Sequence, residues 1–113
     1  MKIIILSLFF LMLSGCATKT MYHWGDYSST LYALKKEPTT ESRNKHKIEL
    51  IEIISEANEK NKKIPPGIYF ELAMMEAEDG NEIVARKHFS LELELFPESE
   101  KYVELALLEM GAK

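Results

Sequence analysis

Residues 66–99 read PGIYFELAMMEAEDGNEIVARKHFSLELELFPES, and they carry the clearest helix and turn signals of the chain. A helix is predicted from about residue 67 to residue 78, because its apolar residues recur near one face. Residues 79–81 form a turn in which Gly80 can take a positive φ. A second helix is predicted from about residue 81 to residue 96, and Pro97 stops it. The stretch therefore predicts a helical hairpin.

The second half of this hairpin has an ambiguous period. From Phe89 to Leu95 apolar residues alternate with polar ones, a spacing that is also typical of a strand. Helix is favoured because leucine and glutamate are strong helix formers and no residue of this segment is β-branched. We therefore predict a helix here and keep a strand as the alternative.

Large and small side chains follow one another in a definite order along the hairpin. The order is an aromatic residue, a leucine with a small residue after it, a turn glycine, a second small residue, a second aromatic residue and a closing proline. These positions are Tyr69, Leu72, Ala73, Gly80, Ala85, Phe89 and Pro97. The order and the length of about 34 residues resemble one tetratricopeptide repeat. Glu76 departs from the pattern at an aromatic position, and Glu92 departs from it at a small one.

A single repeat needs neighbours that cover its apolar faces, since repeat arrays generally contain about three units. A final helix is predicted from Glu100 to Met110, with Ser99 as its N-cap and Gly111 at its end, and it would serve as a C-terminal capping helix. Glu92 is expected either to point out of the packed stripe or to carry a charge for a partner.

Two further helices are predicted before the hairpin. Asp26 is a plausible N-cap for a helix over residues 27–36. A longer amphipathic helix opens at residues 39–40 and runs to about Asn61. Its apolar stripe consists of Ile48, Ile51, Ile54 and Ala57 or Asn58, widened by Leu50 and Ile53. The fold class that follows is all-α, built from helical hairpins with one repeat-like unit and a capping helix.

The first residues predict export. Met1-Lys2 is a minimal positive region, and residues 3–13 are an apolar run too short to span a bilayer, which needs about 20 residues as a helix. This length is typical of a signal peptide, which is left out of fold reasoning. The run ends in Leu13, Ser14, Gly15 and Cys16, the order of a lipobox. We expect residues 1–15 to be removed. The alternative is an ordinary signal peptide followed by a stray cysteine.

Cys16 is the expected lipid attachment site and the only cysteine of the chain. Its thiol would carry diacylglycerol and its amino group an acyl chain such as palmitate, because two or more chains give stable membrane anchoring. No other cofactor is expected. Residues 16–21 would form the tether, and residues 22–113 a single helical domain. Ala17, where aspartate would often signal retention in the inner membrane, favours the periplasmic face of the outer membrane.

The charge balance argues against several classes of partner. The chain carries a formal net charge of −4, with 18 acidic residues against 14 basic ones. Because binding to phosphates needs a basic face, we expect no nucleic-acid partner. Charge alone would also bind anionic lipid poorly, which fits attachment to the membrane through a lipid anchor.

The densest aromatic cluster follows the tether. Tyr22, Trp24 and Tyr27, with Tyr32 one turn further, are candidate partner-binding residues, because Trp and Tyr dominate interface hot spots. Two alternatives remain. The rings could pack into the helical core, or they could rest at the headgroup level of a membrane.

Catalytic and metal-binding patterns are weak. The histidines are His23, His46 and His88, and no two of them have the i, i+4 spacing of a metal-binding helix. His46, between two lysines, is expected to be solvated, and His88 to be a half-buried packing residue. The acidic residues are expected to form a solvated face. We therefore predict no enzyme, no metal site and no small-molecule substrate.

Three further segments of the chain form a characteristic pattern together with the lipobox. They are residues 22–27 (YHWGDY), the pair Leu31-Tyr32, and residues 65–69 (PPGIY). Together they are similar to a family of small bacterial lipoproteins known only as a domain of unknown function. Members are often encoded beside a lipoprotein similar to the curli secretion channel, and beside a second small lipoprotein.

The resemblance implies a complex with another envelope lipoprotein or channel protein. The function expected is that of a lipid-anchored, non-enzymatic binding or scaffolding lipoprotein of the bacterial envelope. The alternative is a structural subunit of a secretion-channel or cell-surface assembly. A factor that acts on the cell wall is less favoured.

Overall fold

The computed structural model describes residues 20–112, so the predicted signal segment and Cys16 lie outside the described residues. Five α-helices and one short 3₁₀ turn, Pro97–Ser99, account for most of this part. The helices are α1 Tyr27–Lys36, α2 Thr40–Glu59, α3 Ile68–Glu78, α4 Glu82–Leu95 and α5 Glu100–Ala112. The all-α prediction is confirmed, and the ambiguous segment 89–95 is helical.

The helices pack in chain order. Helix α1 contacts α2, α2 contacts α3, and α3 and α4 form the closest pair, while α5 covers one side of that pair. Tyr22 pairs with Lys63, and both line one groove with Leu95 and Phe96. The residues before α1, the α2–α3 connection and the 3₁₀ turn therefore lie at one end of the molecule, which we call the tether end.

The capping chemistry explains the start of α2 but not that of α1. Thr39 Oγ1 accepts from the backbone N–H of Ser42 at 3.1 Å, and Thr39 N–H donates to Ser42 Oγ at 3.0 Å. This reciprocal pair is a capping box. Asp26 stands at the start of α1, but among the described residues its side chain makes no capping bond. Asp26 therefore occupies the predicted N-cap position without the side-chain hydrogen bond of a cap, and its own N–H donates to Glu49 Oε1 at 2.8 Å.

The packed face of α2 differs from the predicted stripe. Ile48 and Ile51 are about half exposed, and Ile54 is only partly buried. The buried face consists of His46, Leu50, Ile53 and Ala57. Hydrophobicity alone predicts that stripe, whereas α1 and α3 both approach α2 from the side of His46. A polar residue thus holds a core position and two isoleucines face outward.

Two small cores hold the helices together. One joins α2 to α3 through Leu50, Ile53, Ile68, Leu72 and Met75. The other joins α3, α4 and α5 through Ala73, Ala85, Phe89, Val103 and Ala106. Small residues at the α3–α4 contact let the two helix axes approach closely. Phe89 fills the space beside them and meets Phe70 edge to face, with ring centroids 5.5 Å apart.

The other positions of the repeat-like pattern, Tyr69, Gly80 and Pro97, lie around this hairpin. Tyr69 is half-buried and stacks on His88 with centroids 5.8 Å apart, so His88 is a half-buried packing residue as predicted. Gly80 takes a φ of +82° in the α3–α4 turn. Pro97 begins the 3₁₀ turn that separates α4 from α5.

Two helix ends differ from prediction. Helix α5 runs through Gly111 to Ala112, so Gly111 does not end it. Ser99 closes the 3₁₀ turn, and its hydroxyl donates to Glu92 Oε1 at 3.3 Å, so the structure gives it a side-chain partner in α4. The α2 helix ends at Glu59, and Asn61 follows with a positive φ of 51°.

Candidate functional site

The aromatic segment before α1 is fastened to the end of α2 and the residues after it. The backbone of residues 21–23 runs beside Lys63, with His23 N–H donating to Lys63 O at 3.2 Å and Lys63 N–H donating to Met21 O at 3.0 Å. His23 Nε2 lies 2.6 Å from Glu56 Oε2. These contacts give the segment a defined path over the tether end.

Gly25 is required by the close approach of this segment to α2. Its φ is +49°, a region that favours glycine. A Cβ at this position would lie 2.5 Å from Glu49 Oε1 and 3.3 Å from Ile53 Cγ1. The glycine therefore lets Asp26 N–H reach the Glu49 carboxylate.

We expect Gly25→Ala to lower the free energy of unfolding by about 1–2 kcal/mol, because it adds both backbone strain and a clash. The emission of Trp24, the only tryptophan, should shift to the red as the segment loosens. Urea denaturation and fluorescence measure the two effects. Gly111→Ala is the matched control, because its Cβ would meet open space in a helix and should be neutral or stabilising. Equal stability losses in both variants would contradict this explanation.

A buried polar network lies beneath the aromatic segment. Tyr27 Oη donates to Glu71 Oε2 at 2.6 Å, and the other oxygen of Glu71 pairs with His46 Nε2. His46 Nδ1 lies 2.8 Å from Thr30 Oγ1. The chain of contacts thus joins α1, α2 and α3. Burial raises the pKa of Tyr27 well above its ordinary value, and the hydrogen bond to Glu71 raises it further, so the phenol remains a donor.

His46 is fully buried in this network, so its predicted solvation is wrong. Its flanking lysines suggested a solvated position, but the helical turn directs the imidazole inward between α1 and α3. Sequence reasoning missed Thr30, His46 and Glu71 as a group, because they are 16 and 25 residues apart and lie in three predicted helices. The only available signal was a histidine at helical spacing from Leu50 and Ile53.

The order of Thr30, His46 and Glu71 matches that of a nucleophile, a base and an orienting carboxylate. The surroundings differ from those of such a site. The Thr30 hydroxyl lies against the carbonyls of Asp26 and Tyr27 in its own helix, at 3.3 and 3.2 Å. The grooves described below are lined by other residues. The geometry is that of a satisfied structural network.

The four candidate aromatic residues divide into two pairs. Tyr22 and Tyr27 are half-buried, and Tyr27 meets the His46 ring at 5.3 Å between centroids. Trp24 is 44% exposed and packs edge-on against Tyr27 at 5.4 Å. Tyr32 is 67% exposed on α1. Trp24 and Tyr32 therefore present aromatic surface to solvent, while Tyr22 and Tyr27 hold the segment down.

Residues 21–105 match the model of a family described as a domain of unknown function, DUF4810. The chain belongs to this family. The matched range contains the aromatic segment, the buried network and the α3–α4 hairpin. Comparison of the chain with curated proteins and with solved structures gave no match.

Glu92 has a structural position in the DUF4810 domain that neither prediction anticipated. It is buried on α4, and its Oε1 accepts from the backbone N–H of Gly67 at 2.8 Å and from the Ser99 hydroxyl. Gly67 immediately precedes α3, so the carboxylate satisfies an unpaired N–H and lies at the positive end of the helix dipole. Glu92 therefore connects the start of α3 with the 3₁₀ turn, rather than facing a partner.

A cluster of charges joins α2 to the α3–α4 turn. Lys47 Nζ lies 2.8 Å from both Glu76 and Asp79, and Arg43 contacts Glu78 and Asp79. The hydrogen bond from Lys47 lowers the pKa of Asp79, and Arg43 lowers it further. Burial raises the pKa of Glu76, but hydrogen bonds from Lys47 and Asn81 outweigh burial and leave that pKa lowered.

The lowered pKa of Asp79 predicts acid sensitivity. A carboxylate whose pKa is lower in the folded protein stabilises it above the unfolded pKa, about 3.9 for aspartate. This contribution is lost as the pH falls through the folded pKa. We expect the free energy of unfolding to decrease from about pH 5 towards pH 2 and to decrease less steeply in Lys47→Met. Denaturation at a series of pH values measures the slope. Identical slopes would contradict this assignment.

Two of the grooves on the described surface lie at the two ends of the α3–α4 hairpin. One, of about 290 Å³, lies between α3, the α3–α4 turn and α5. Its apolar floor includes Met74 and Met110, and its rim carries the carboxylates of Glu78, Glu82 and Glu109. The second, of about 350 Å³, lies at the tether end and is lined by Tyr22, Asn58, Lys62, Lys63, Ile64, Leu95 and Phe96.

Metal ligands and membrane-spanning helices were sought in residues 20–112. In this range no group of three or more His, Cys, Asp or Glu side chains is placed to hold a metal ion. The helices of the same range are too short or too polar to cross a bilayer.

Proposed function

We propose that this DUF4810 protein is a lipid-anchored, non-enzymatic binding module of the bacterial envelope. It holds another envelope lipoprotein or channel protein close to the membrane. The observation that carries this proposal is the exposure of Trp24 on a segment that is fixed on its inner side, with Tyr32 exposed on the α1 helix that follows. Exposed Trp and Tyr on a rigid support are the residues that contribute most at protein interfaces.

The anchor determines where this surface acts. In the proposal Cys16 carries diacylglycerol and an acyl chain, and residues 17–19 connect it to the described domain. Four peptide steps from Cys16 to Thr20 span at most about 14 Å. The tether end would therefore lie close to the lipid headgroups, on the periplasmic face of the outer membrane. Confinement to this plane raises the effective concentration of the module near membrane-bound partners.

The buried network supports a binding role because it pre-organises the exposed ring of Trp24. Trp24 packs on Tyr27, and Tyr27 is held by Glu71 in α3. A side chain that is already ordered loses less conformational entropy when a partner binds, so affinity improves. The same network gives His46 and Glu71 structural roles. This favours a binding interface over a catalytic site.

The α3–α4 hairpin is the proposed tetratricopeptide-like unit. Support comes from Ala73 and Ala85, which are buried at the helix contact, and from Phe89, which fills the space beside them. Helix α2 covers the hairpin on one side and α5 on the other. Binding modules of this kind offer surfaces for proteins, so no small-molecule substrate is proposed.

Site-specific photocrosslinking in intact membranes tests the proposal. A benzophenone amino acid replaces Trp24 in one variant and Tyr32 in another. Both variants should form an adduct with the same envelope protein, identified by mass spectrometry after purification. Lys87, exposed on α4, is the matched control position and should form little adduct. Retained helicity by circular dichroism ensures that each variant is folded.

The outcomes distinguish a binding module from a surface without a partner and from an enzyme. One shared partner at positions 24 and 32 supports the binding module. Absence of adducts at both positions, or the same adducts from position 87, would refute an interface here. Turnover of an envelope substrate by the purified protein would refute the non-enzymatic role.

A further inference from the structure

The groove at the tether end carries charge of the opposite sign to the net charge of the chain. Besides Asn58, its lining consists of apolar side chains and two cations, namely Tyr22, Ile64, Leu95, Phe96, Lys62 and Lys63. None of the described carboxylates lines it, whereas three carboxylates line the groove at the other end of the hairpin. In a chain with a net charge of −4, this groove is therefore suited to an apolar ligand with an anionic group.

Both lysines keep hydrogen-bond donors available for such a ligand. Lys62 Nζ donates to Thr20 Oγ1 at 3.3 Å, which uses only part of the donor capacity of an ammonium group. Lys63 is exposed, and its backbone is hydrogen-bonded to residues 21–23. Within residues 20–112 neither lysine forms an ion pair, in contrast to the neighbouring Lys60. Two cations on a fixed backbone are thus open to an anionic group in the groove.

The carboxylates next to the lining residues along the chain do not themselves line the groove. Glu56 is paired with His23 and Lys60, at 2.6 and 3.7 Å. The others are exposed, and they are Glu59, Glu94, Glu98 and Glu100. Because these charges offset the lysines, the tether end as a whole would attract an anionic membrane surface only weakly. Recognition must therefore depend on an anionic group that enters the groove itself.

The groove lies where the lipid anchor is proposed. Thr20 contacts Lys62, and the chain from Thr20 back to Cys16 spans at most about 14 Å. Met21 and Leu95, at the same end, are 56% and 48% exposed. Exposed apolar side chains beside lysines suit a membrane interface, where the apolar parts are buried and the ammonium groups stay at headgroup level. Beside the anchor, a phospholipid headgroup is therefore the anionic ligand that the groove would meet.

We propose that this groove binds the headgroup of an anionic phospholipid. The phosphate lies against Lys62 and Lys63, and the first carbons of the acyl chains lie against Leu95 and Phe96. The volume of about 350 Å³ is typical of small-ligand sites but too small for a whole phospholipid, so the rest of the lipid stays in the bilayer. A zwitterionic headgroup carries its own cation beside the phosphate, which the two ammonium groups disfavour.

This inference rests on the proposed function for the position of the tether end at the membrane. It adds a second contact between the domain and the same membrane. One lipid anchor on a short tether leaves the domain free to rotate, whereas a headgroup held in the groove restricts that rotation. The domain would then present its other surfaces to a membrane-bound partner in a fixed orientation.

Photolabelling in vesicles tests the groove. The chain purified from bacterial membranes is reconstituted into phosphatidylcholine vesicles that contain a photoactivatable phosphatidylglycerol, with its reactive group near the glycerol end of one acyl chain. The matched probe is a phosphatidylcholine with the same reactive group. Mass spectrometry of the illuminated protein should find adducts at Ile64, Leu95 or Phe96, several-fold more abundant with the anionic probe. Met74 and Met110, in the other groove, should remain unlabelled.

Lysine variants identify the recognition group. Lys62→Gln with Lys63→Gln should reduce labelling by the anionic probe roughly tenfold, because each cation contributes to the attraction of anionic lipid. Lys62→Arg with Lys63→Arg keeps both charges and should retain most of the labelling. Lys35→Gln with Lys36→Gln is the matched control, since it removes two adjacent exposed lysines from the last turn of α1 and should leave labelling unchanged. Circular dichroism verifies that each variant is folded.

Each outcome decides for or against the headgroup site. Absence of adducts in the groove, equal labelling by the two probes, or equal losses in the two glutamine variants would refute it. A loss in the arginine variant as large as in its glutamine counterpart would also refute it. The N-terminal peptide of the same digest reports the anchor separately. A lipidated Cys16 with an unlabelled groove would refute this inference alone, whereas a labelled groove with an unmodified Cys16 would support it and refute the anchor.

Discussion

Glu71→Ala is expected to lower the free energy of unfolding by about 2–4 kcal/mol, because it leaves a buried imidazole and a half-buried phenol without their partner. Tyr27 Oη and His46 Nε2 both bond to the Glu71 carboxylate, and His46 is fully buried. The loss should spread to the surface, because Trp24 rests on Tyr27. Trp24 emission should therefore shift to the red in the folded variant.

Urea denaturation followed by circular dichroism measures this effect. Glu71→Gln is the conservative variant, since the amide oxygen can still accept one hydrogen bond, and it should lose less stability. Glu82→Ala is the control, because Glu82 is exposed and pairs with Arg86 within its own helix, a contact that contributes little. A loss in Glu71→Ala no greater than that in Glu82→Ala would contradict the role assigned to the network.

Phe89→Ala is expected to cost about 3–5 kcal/mol, the range for removing a buried aromatic ring. Phe89 is 1% exposed and fills the space between Ala73, Ala85 and Val103. The ring also meets Phe70, so its removal takes away an aromatic contact, and the neighbouring Ala73 and Ala85 are too small to fill the cavity. The midpoint of urea denaturation should therefore fall sharply.

Tyr102→Ala is the matched control for Phe89→Ala. It also removes an aromatic ring, but from the exposed face of α5, and it should change stability by less than about 0.5 kcal/mol in the monomer. Similar losses in the two variants would show that the assigned core is wrong.

The helices of this protein are largely predictable from local signals. Pro38, Gly80 and Pro97 interrupt the chain where the helices end, and each of the five helices begins within one residue of prediction. The hairpin contact follows from Ala73 and Ala85, because small residues recur where helix axes approach. Each of these signals lies within a few residues of the structure that it determines.

The inner face of α2 could not be predicted in the same way. Hydrophobicity favoured Ile48 and Ile51, whereas the structure buries His46. Burial of an imidazole becomes favourable only when partners satisfy it, and those partners lie in α1 and α3. The α2 sequence does not encode the positions of Thr30 and Glu71. The register of α2 therefore depends on tertiary contacts.

The position of Glu92 also could not be predicted from its local sequence. An acidic residue at a small position of the repeat pattern was expected to face solvent or a partner. Its actual partner is the backbone N–H of Gly67, which becomes unpaired only because α3 begins immediately after it. A single carboxylate that serves another helix end is not visible in a local pattern.

The lipid anchor proposed at Cys16 underlies the proposed function, because that function depends on confinement at the membrane. Mass spectrometry of the N-terminal peptide, taken from protein purified out of bacterial membranes, tests it most directly. We predict that the mature chain begins at Cys16 and carries the mass of a diacylglycerol and an acyl chain. A mature protein that begins at another residue, or an unmodified Cys16, would contradict the account.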